Sequence, residues 1–131
     1  MELERLMRLP LFAELDQHDL SIVAHASGES EIAEGDLLIE QGAPPSEMFV
    51  IESGTAEVLR DGERIATLGP GDVVGEMGPI KLQRRMASVR ATTPVLAVTL
   101  GSDALASIAR EMPELAVDLR AEVERRERLL G

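Results

Sequence analysis

The apolar positions of this chain change period twice. Over the first 27 residues they recur at helical spacing: Leu3, Leu6 and Met7, then a break at Pro10, then Leu20, Ile22, Val23 and Ala24 behind Asp16, a residue suited to an N-cap. Two short helices are predicted. From Gly28 to about Leu100 the texture becomes short apolar runs at Leu37–Ile39, Met48–Ile51, Ala56–Leu59, Ile65–Leu68, Val73–Val74, Ala87–Ala91 and Val95–Leu100, each predicting a short strand of about four to six residues. After Gly101 the helical period returns. Leu105, Ile108 and Met112 share one face, Pro113 marks a second helix start, and Leu115, Ala116, Leu119 and Val123 form the next stripe. Glu122/Arg126 and Glu124/Arg128 at i,i+4 allow that helix to continue as an exposed one.

Turn signals separate the runs at Glu34-Gly35, Gly42 to Pro45, Ser53-Gly54, Asp61-Gly62 and Gly69-Pro70-Gly71. Asp61-Gly62 is the strongest hairpin signal among them. Strands so regularly spaced point to a sandwich or barrel instead of a βαβ sheet. The stretch GDVVGEMGPIKLQRRMASVRA interrupts the strand pattern, and Met77 to Leu82 within it can form one helical turn.

A chain of 131 residues is one domain's worth, with no repeat and no linker, so residues 1–131 are expected to share one fold: helices over 1–27, strands over 28–100 and helices over 101–131. The apolar fraction of 44% and charged fraction of 28% exclude disordered and low-complexity classes. With no cysteine, disulfides and thiolate metal sites are excluded, and no apolar run approaches the roughly 20 residues that span a bilayer. The charged amino terminus MELERLMRLP lacks a signal-peptide core, and the expected location is the cytoplasm.

A net charge of −11 argues against a nucleic-acid partner, which would need a clustered basic surface. The charge is unevenly spread, however. Between Glu76 and Asp103 there is no acidic residue, and Lys81, Arg84, Arg85 and Arg90 lie in that interval. His18 and His25, the two histidines, fall short of a metal site, so no metal is expected. The absence of a histidine cluster from the strands also weighs against a cupin-like metalloenzyme, and no serine–histidine pairing is arguable, so no catalytic residue is assigned.

The locally positive segment has the parts needed to hold a phosphate ester of a nucleoside. Arg85 can fork two N–H donors onto two phosphate oxygens, Glu76 can accept a ribose hydroxyl proton, and Gly75 lets backbone come close. Backbone N–H groups near Gly78 to Ile80, and those of Met86 and Ala87, can add donors to the anion. Ser88 reads as a phosphate or backbone hydrogen-bond donor instead of a nucleophile.

Gly75-Glu76-Met77-Gly78, eight residues between Glu76 and Arg85, and then Arg85-Met86-Ala87-Ser88-Val89 resemble the phosphate-binding cassette of cyclic-nucleotide-binding domains, as in protein kinase A regulatory subunits, the catabolite activator protein and cyclic-nucleotide-gated channels. Pro10-Leu11-Phe12 with Leu15, the glycines Gly35, Gly42 and Gly54, and the lead-in Gly69-Pro70-Gly71-Asp72 extend the resemblance over nearly the whole chain. It implies an α+β, mainly β fold: an antiparallel, jelly-roll-like β-roll of about eight strands with N-terminal helices, a short phosphate-binding helix and two C-terminal helices.

The resemblance also implies roles. Glu76 would bind the ribose 2′-hydroxyl and Arg85 the phosphate, with Gly75, Met77, Met86, Ala87 and Ser88 lining the same pocket. Met86 stands where cGMP-selective members often carry threonine, which favours cAMP over cGMP as the ligand. The helix from Pro113 would close over the base, through Leu115, Leu119, Val123 or one of Arg125, Arg126 and Arg128. Its movement would signal to a homodimer partner or an attached effector, with a membrane involved only indirectly, as in a channel or transporter. The alternative is a structural or dimerisation domain of the same fold that binds no nucleotide. A helix-turn-helix would need chain beyond Gly131, so DNA binding is not expected.

Overall fold

The computed structural model describes residues 2–42, 47–74, 87–118 and 121. Helices α1 (Leu3–Met7) and α2 (Gln17–Ala26) open the chain. Asp16 caps α2 as its sequence position predicts, its carboxylate accepting the Asp19 amide at 2.8 Å. Among the described residues eight strands follow: β1 (Gly28–Ile32), β2 (Leu37–Ile39), β3 (Glu47–Ser53), β4 (Ala56–Arg60), β5 (Glu63–Leu68), β6 (Val73–Val74), β7 (Ser88–Ala91) and β8 (Val95–Gly101). Helix α3 (Ser102–Glu111) leaves β8 directly, and residues 113–118 and 121 are helical again after the break at Met112.

The strands make two antiparallel sheets, ordered β1-β8-β3-β6 and β2-β7-β4-β5, which close against each other as a roll. The first sheet is apolar on both faces, because β3 and β8 alternate between two cores. Phe49 and Ile51 of β3 and Val95 and Ala97 of β8 point inward, where Ile39, Ala56, Val58, Leu68, Val74, Val89 and Ala91 meet them. Met48 and Val50 of β3, with Val98 and Leu100 of β8, point outward under the helices and bury Leu6, Phe12, Leu20, Val23, Leu105 and Ile108. The run Met48 to Ile51 is thus a strand buried on both sides, which is why it reads as continuous apolar residues instead of alternating ones.

β1 is absent from the apolar runs of the sequence. Its residues GESEI offer only Ile32 to the inner core, and as an edge strand its pairing to β8 is carried by backbone. A hydroxyl pair between Ser30 and Thr99 at 2.6 Å adds a side-chain contact on the same ladder.

Arg5 fastens α1 to the outer face of this sheet. Its guanidinium forks Glu52 of β3 through Nε at 2.9 Å and Nη2 at 2.6 Å, and Glu29 of β1 through Nη1 at 2.9 Å and Nη2 at 2.8 Å. The Arg5 hydrogen bonds hold the Glu29 carboxyl below its usual 4.5, and the two carboxylates raise the Arg5 guanidinium further above its already high value.

Glycine is needed at the turns on either side of β4. Asp61 (φ 52°) and Gly62 (φ 82°) are both left-handed, the signature of a type I′ turn, at the pair that the sequence marks as a hairpin signal. Gly54 (φ 91°) joins β3 to β4 so tightly that a Cβ there would lie 2.2 Å from the Pro94 carbonyl oxygen.

Gly54→Ala is therefore expected to cost about 3 kcal/mol or more, combining left-handed strain with a backbone clash. Gly62→Ala, with open space around it, should cost only the conformational part, about 1–2 kcal/mol; urea titration of both variants measures the difference. A second expectation concerns pH. Because the Glu29 carboxyl titrates lower when folded than unfolded, its contribution is present above about 4.5 and is lost as pH falls through the folded value. The gap in Tm between wild type and Arg5→Met should be full near neutrality and close in acid.

Candidate functional site

Five of the residues assigned from sequence, Gly75, Glu76, Met77, Arg85 and Met86, lie outside the described residues, as does the predicted helical turn Met77 to Leu82. What the structure provides is the frame on either side of them. The chain enters the segment from Val74 of β6, paired with Phe49 in the first sheet, and leaves it into Ser88 of β7, paired with Leu59 in the second. The described residues on either side of 75–86 thus belong to different walls of the roll.

On the exit side the two assigned residues that are described face opposite ways. Ala87 packs against the inner core. Ser88 shares the outer face of β7 with Arg90, since Val89 and Ala91 occupy the inward positions. Its Oγ accepts the backbone amide of Gln41 at 2.8 Å. Strand parity accounts for the difference between Ala87 and Ser88: one residue's shift along the strand turns a side chain from the interior to the outer surface.

Gln41 itself carried no signal in the sequence. Its side-chain amide meets Asp61 twice, Oε1 accepting the Asp61 amide at 2.9 Å and Nε2 donating to the Asp61 carboxylate at 2.8 Å. With its backbone held by Ser88, this one residue ties the end of β2 to the β4–β5 hairpin tip and to the first residue of β7. Of the cations in the acid-free stretch, Arg90 is spent on the outer face, forking Glu57 through Nε at 3.0 Å and Nη2 at 2.5 Å. Lys81, Arg84 and Arg85 lie outside the described residues.

A further cation stands at the same rim. Arg60 is the last residue of β4, at the inward parity set by Ala56 and Val58, and its Nε is buried with no hydrogen-bond acceptor among the described residues. An enclosed N–H without an acceptor costs about 1–3 kcal/mol. The signal that could have found it is a charged residue two positions beyond Val58 on an alternating strand.

The helical residues 113–118 lie against the N-terminal layer. Leu115 is buried in the helix-side core, and Pro10, Leu11, Gly71, Glu114 and Asp118 help to line a cleft of about 520 Å³ beside it. Leu115 is thus occupied in packing in this conformation and does not face the roll interior. Leu119, Val123, Arg125, Arg126 and Arg128 lie outside the described residues. His18 and His25 line a shallow groove between α2 and α3 with Ser21, Ile22, Ser107 and Glu111, and among the described residues no group of three or more metal-ligating side chains converges. No helix among them is long and apolar enough to cross a membrane.

The sequence profile of the cyclic nucleotide-binding domain family matches residues 29–112, which include all eight strands except the first residue of β1 and also the whole 75–86 segment. The chain belongs to the cyclic nucleotide-binding domain family. It is 37% identical over 110 residues to glutaminase 2 of Bradyrhizobium diazoefficiens, covering 83% of this chain and 18% of that one. It is 31% identical over 99 residues to the cAMP-dependent protein kinase regulatory subunit of Hypocrea atroviridis, covering 76% and 21%. The Thermus thermophilus catabolite activator protein superposes with a TM-score of 0.77 at 26% identity, over 91% of this chain and 58% of that one. The chain spans about a fifth of the length of the curated relatives it matches, so a name such as glutaminase describes a far longer protein. The family is a regulatory nucleotide-binding one, and the expected β-roll of about eight strands is the observed fold.

Ser88→Ala removes the acceptor of the Gln41 amide and should cost about 1 kcal/mol of stability. Denaturant titration measures it, and Gln41→Ala, which frees the hairpin tip, should fall in the same range.

Proposed function

We propose that this chain is a cyclic-nucleotide sensor that prefers cAMP to cGMP, holding its ligand through the cassette residues between Val74 and Ser88. In this reading Arg85 takes the two exocyclic phosphate oxygens in a bidentate fork and Glu76 accepts the ribose 2′-hydroxyl. Gly75 leaves room for close backbone approach, Met77 and Met86 supply apolar wall, and the Met86 and Ala87 amides add donors to the anion. Ser88 enters as the residue that positions the start of β7.

The observation that carries the reading is the co-occurrence of Glu76 and Arg85 at cassette spacing within the matched family region of a chain that forms the two-walled roll. The preference for cAMP rests on Met86, which lacks the hydroxyl that a guanine would meet. Neither a metal nor a nucleic acid is part of the mechanism, and the chain is not an enzyme in this reading; its place is the cytoplasm.

Signalling follows from differential affinity. A ligand that binds more tightly with the C-terminal helix in one position shifts the helix toward it, by a coupling typically of about 1–3 kcal/mol. The receiver is a second copy of the chain or an attached effector, as suggested by the small share that the chain covers of its longer relatives.

Titration calorimetry of cAMP and cGMP at fixed ionic strength tests this. Saturable binding is expected, tighter for cAMP, and Arg85→Ala should lose about 2–5 kcal/mol of binding energy. No heat with either nucleotide would overturn the sensor in favour of a structural domain of the same fold.

A further inference from the structure

We infer that Arg60 is a second guanidinium of the nucleotide pocket, presenting its Nε edge to paired acceptors on the ligand. The inference rests on the sensor reading and adds a contact that the cassette residues do not include. Three observations bring Arg60 to that place. It follows Ala56 and Val58 at the inward parity of β4, both of them in the inner core. The β4–β7 register places Leu59 opposite Ser88, so Arg60 comes next to Ala87, which packs on the same core. Its Nε is buried without an acceptor among the described residues.

The other described arginines mark the contrast. Arg5 and Arg90 are each forked onto carboxylates, and Arg8, Arg64 and Arg110 are exposed to water. Arg60 has a carboxylate within easy reach in register, Glu63 across the hairpin, yet no ion pair joins them among the described residues. A donor enclosed in a wall and unspent on a nearby carboxylate is suited to an acceptor that arrives from outside the chain.

The Nε and Nη2 edge of a guanidinium matches two acceptors side by side. On a cyclic nucleotide those are the exocyclic phosphate oxygens, or O6 and N7 of guanine; adenine offers N7 beside an amino donor and meets the edge only half-way. The two sources separate by experiment. Wild type, Arg60→Met and Arg85→Ala are titrated calorimetrically with cAMP and with cGMP, and the unfolding of each ligand-free protein is followed in urea.

Arg60→Met is expected to weaken binding about tenfold or more, the scale of a charge-assisted fork, while leaving ligand-free stability unchanged or higher because an unsatisfied donor has been removed. Equal loss for both nucleotides assigns the edge to the phosphate, and a larger loss for cGMP assigns it to the base. Wild-type binding retained in full by Arg60→Met, or lost only together with ligand-free stability, overturns the inference while the sensor reading stands. Absence of binding by the wild type overturns both.

Discussion

The whole arrangement depends on one sheet being apolar on both of its faces. β3 and β8 each place alternate side chains in two different cores, so the wall that encloses the roll interior is also the floor on which the helices lie. Neither layer can be assembled without the other: the helices have no other apolar surface of that extent to cover, and the outward residues Met48, Val50, Val98 and Leu100 would otherwise face water. Anything that alters the packing inside the roll is separated from the helix layer by the thickness of a single strand. That is the physical basis on which an occupied interior and the position of α3 and the helix after it can be coupled.

Polar contacts do their work at the margins of this apolar wall. Arg5 reaches from α1 to two strands at once and fixes the angle at which the N-terminal layer sits. Gln41 joins three elements at the rim through its backbone and side chain together, which leaves the exit from residue 87 into β7 well anchored. In a protein with a net charge of −11, where each described guanidinium sits among the carboxylates is informative. Two of those described neutralise carboxylates on outer faces, and one, Arg60, is turned inward with a donor unspent.

Much of this was legible in the sequence, for identifiable reasons. Strands with several apolar residues, such as β3 and β8, announce themselves because both faces are buried, and the Asp61-Gly62 turn does so because few residue pairs accept two left-handed conformations in succession. Asp16 was legible as a cap from its position before an apolar period. β1 was not, because an edge strand held mainly by backbone pairing needs little apolar content. At the site, Glu76 and Arg85 were named by spacing and chemistry. Arg60 and Gln41 were passed over because their significance lies in register with residues about 27 and 20 positions away.

The doubly buried strand has a consequence for how the chain comes to be folded. β3 runs from Glu47 to Ser53, and its main partner, β8, begins at Val95. During synthesis the segment Met-Phe-Val-Ile therefore leaves the ribosome well before the strand that will cover its edge exists, at the usual rate of about 5–20 residues per second. A short apolar segment of high β-propensity in that position is open to pairing with another nascent chain. Glu47 and Glu52, one on either side of it, then act as gatekeepers before Glu52 ever meets Arg5, their charges discouraging association until the native partner arrives.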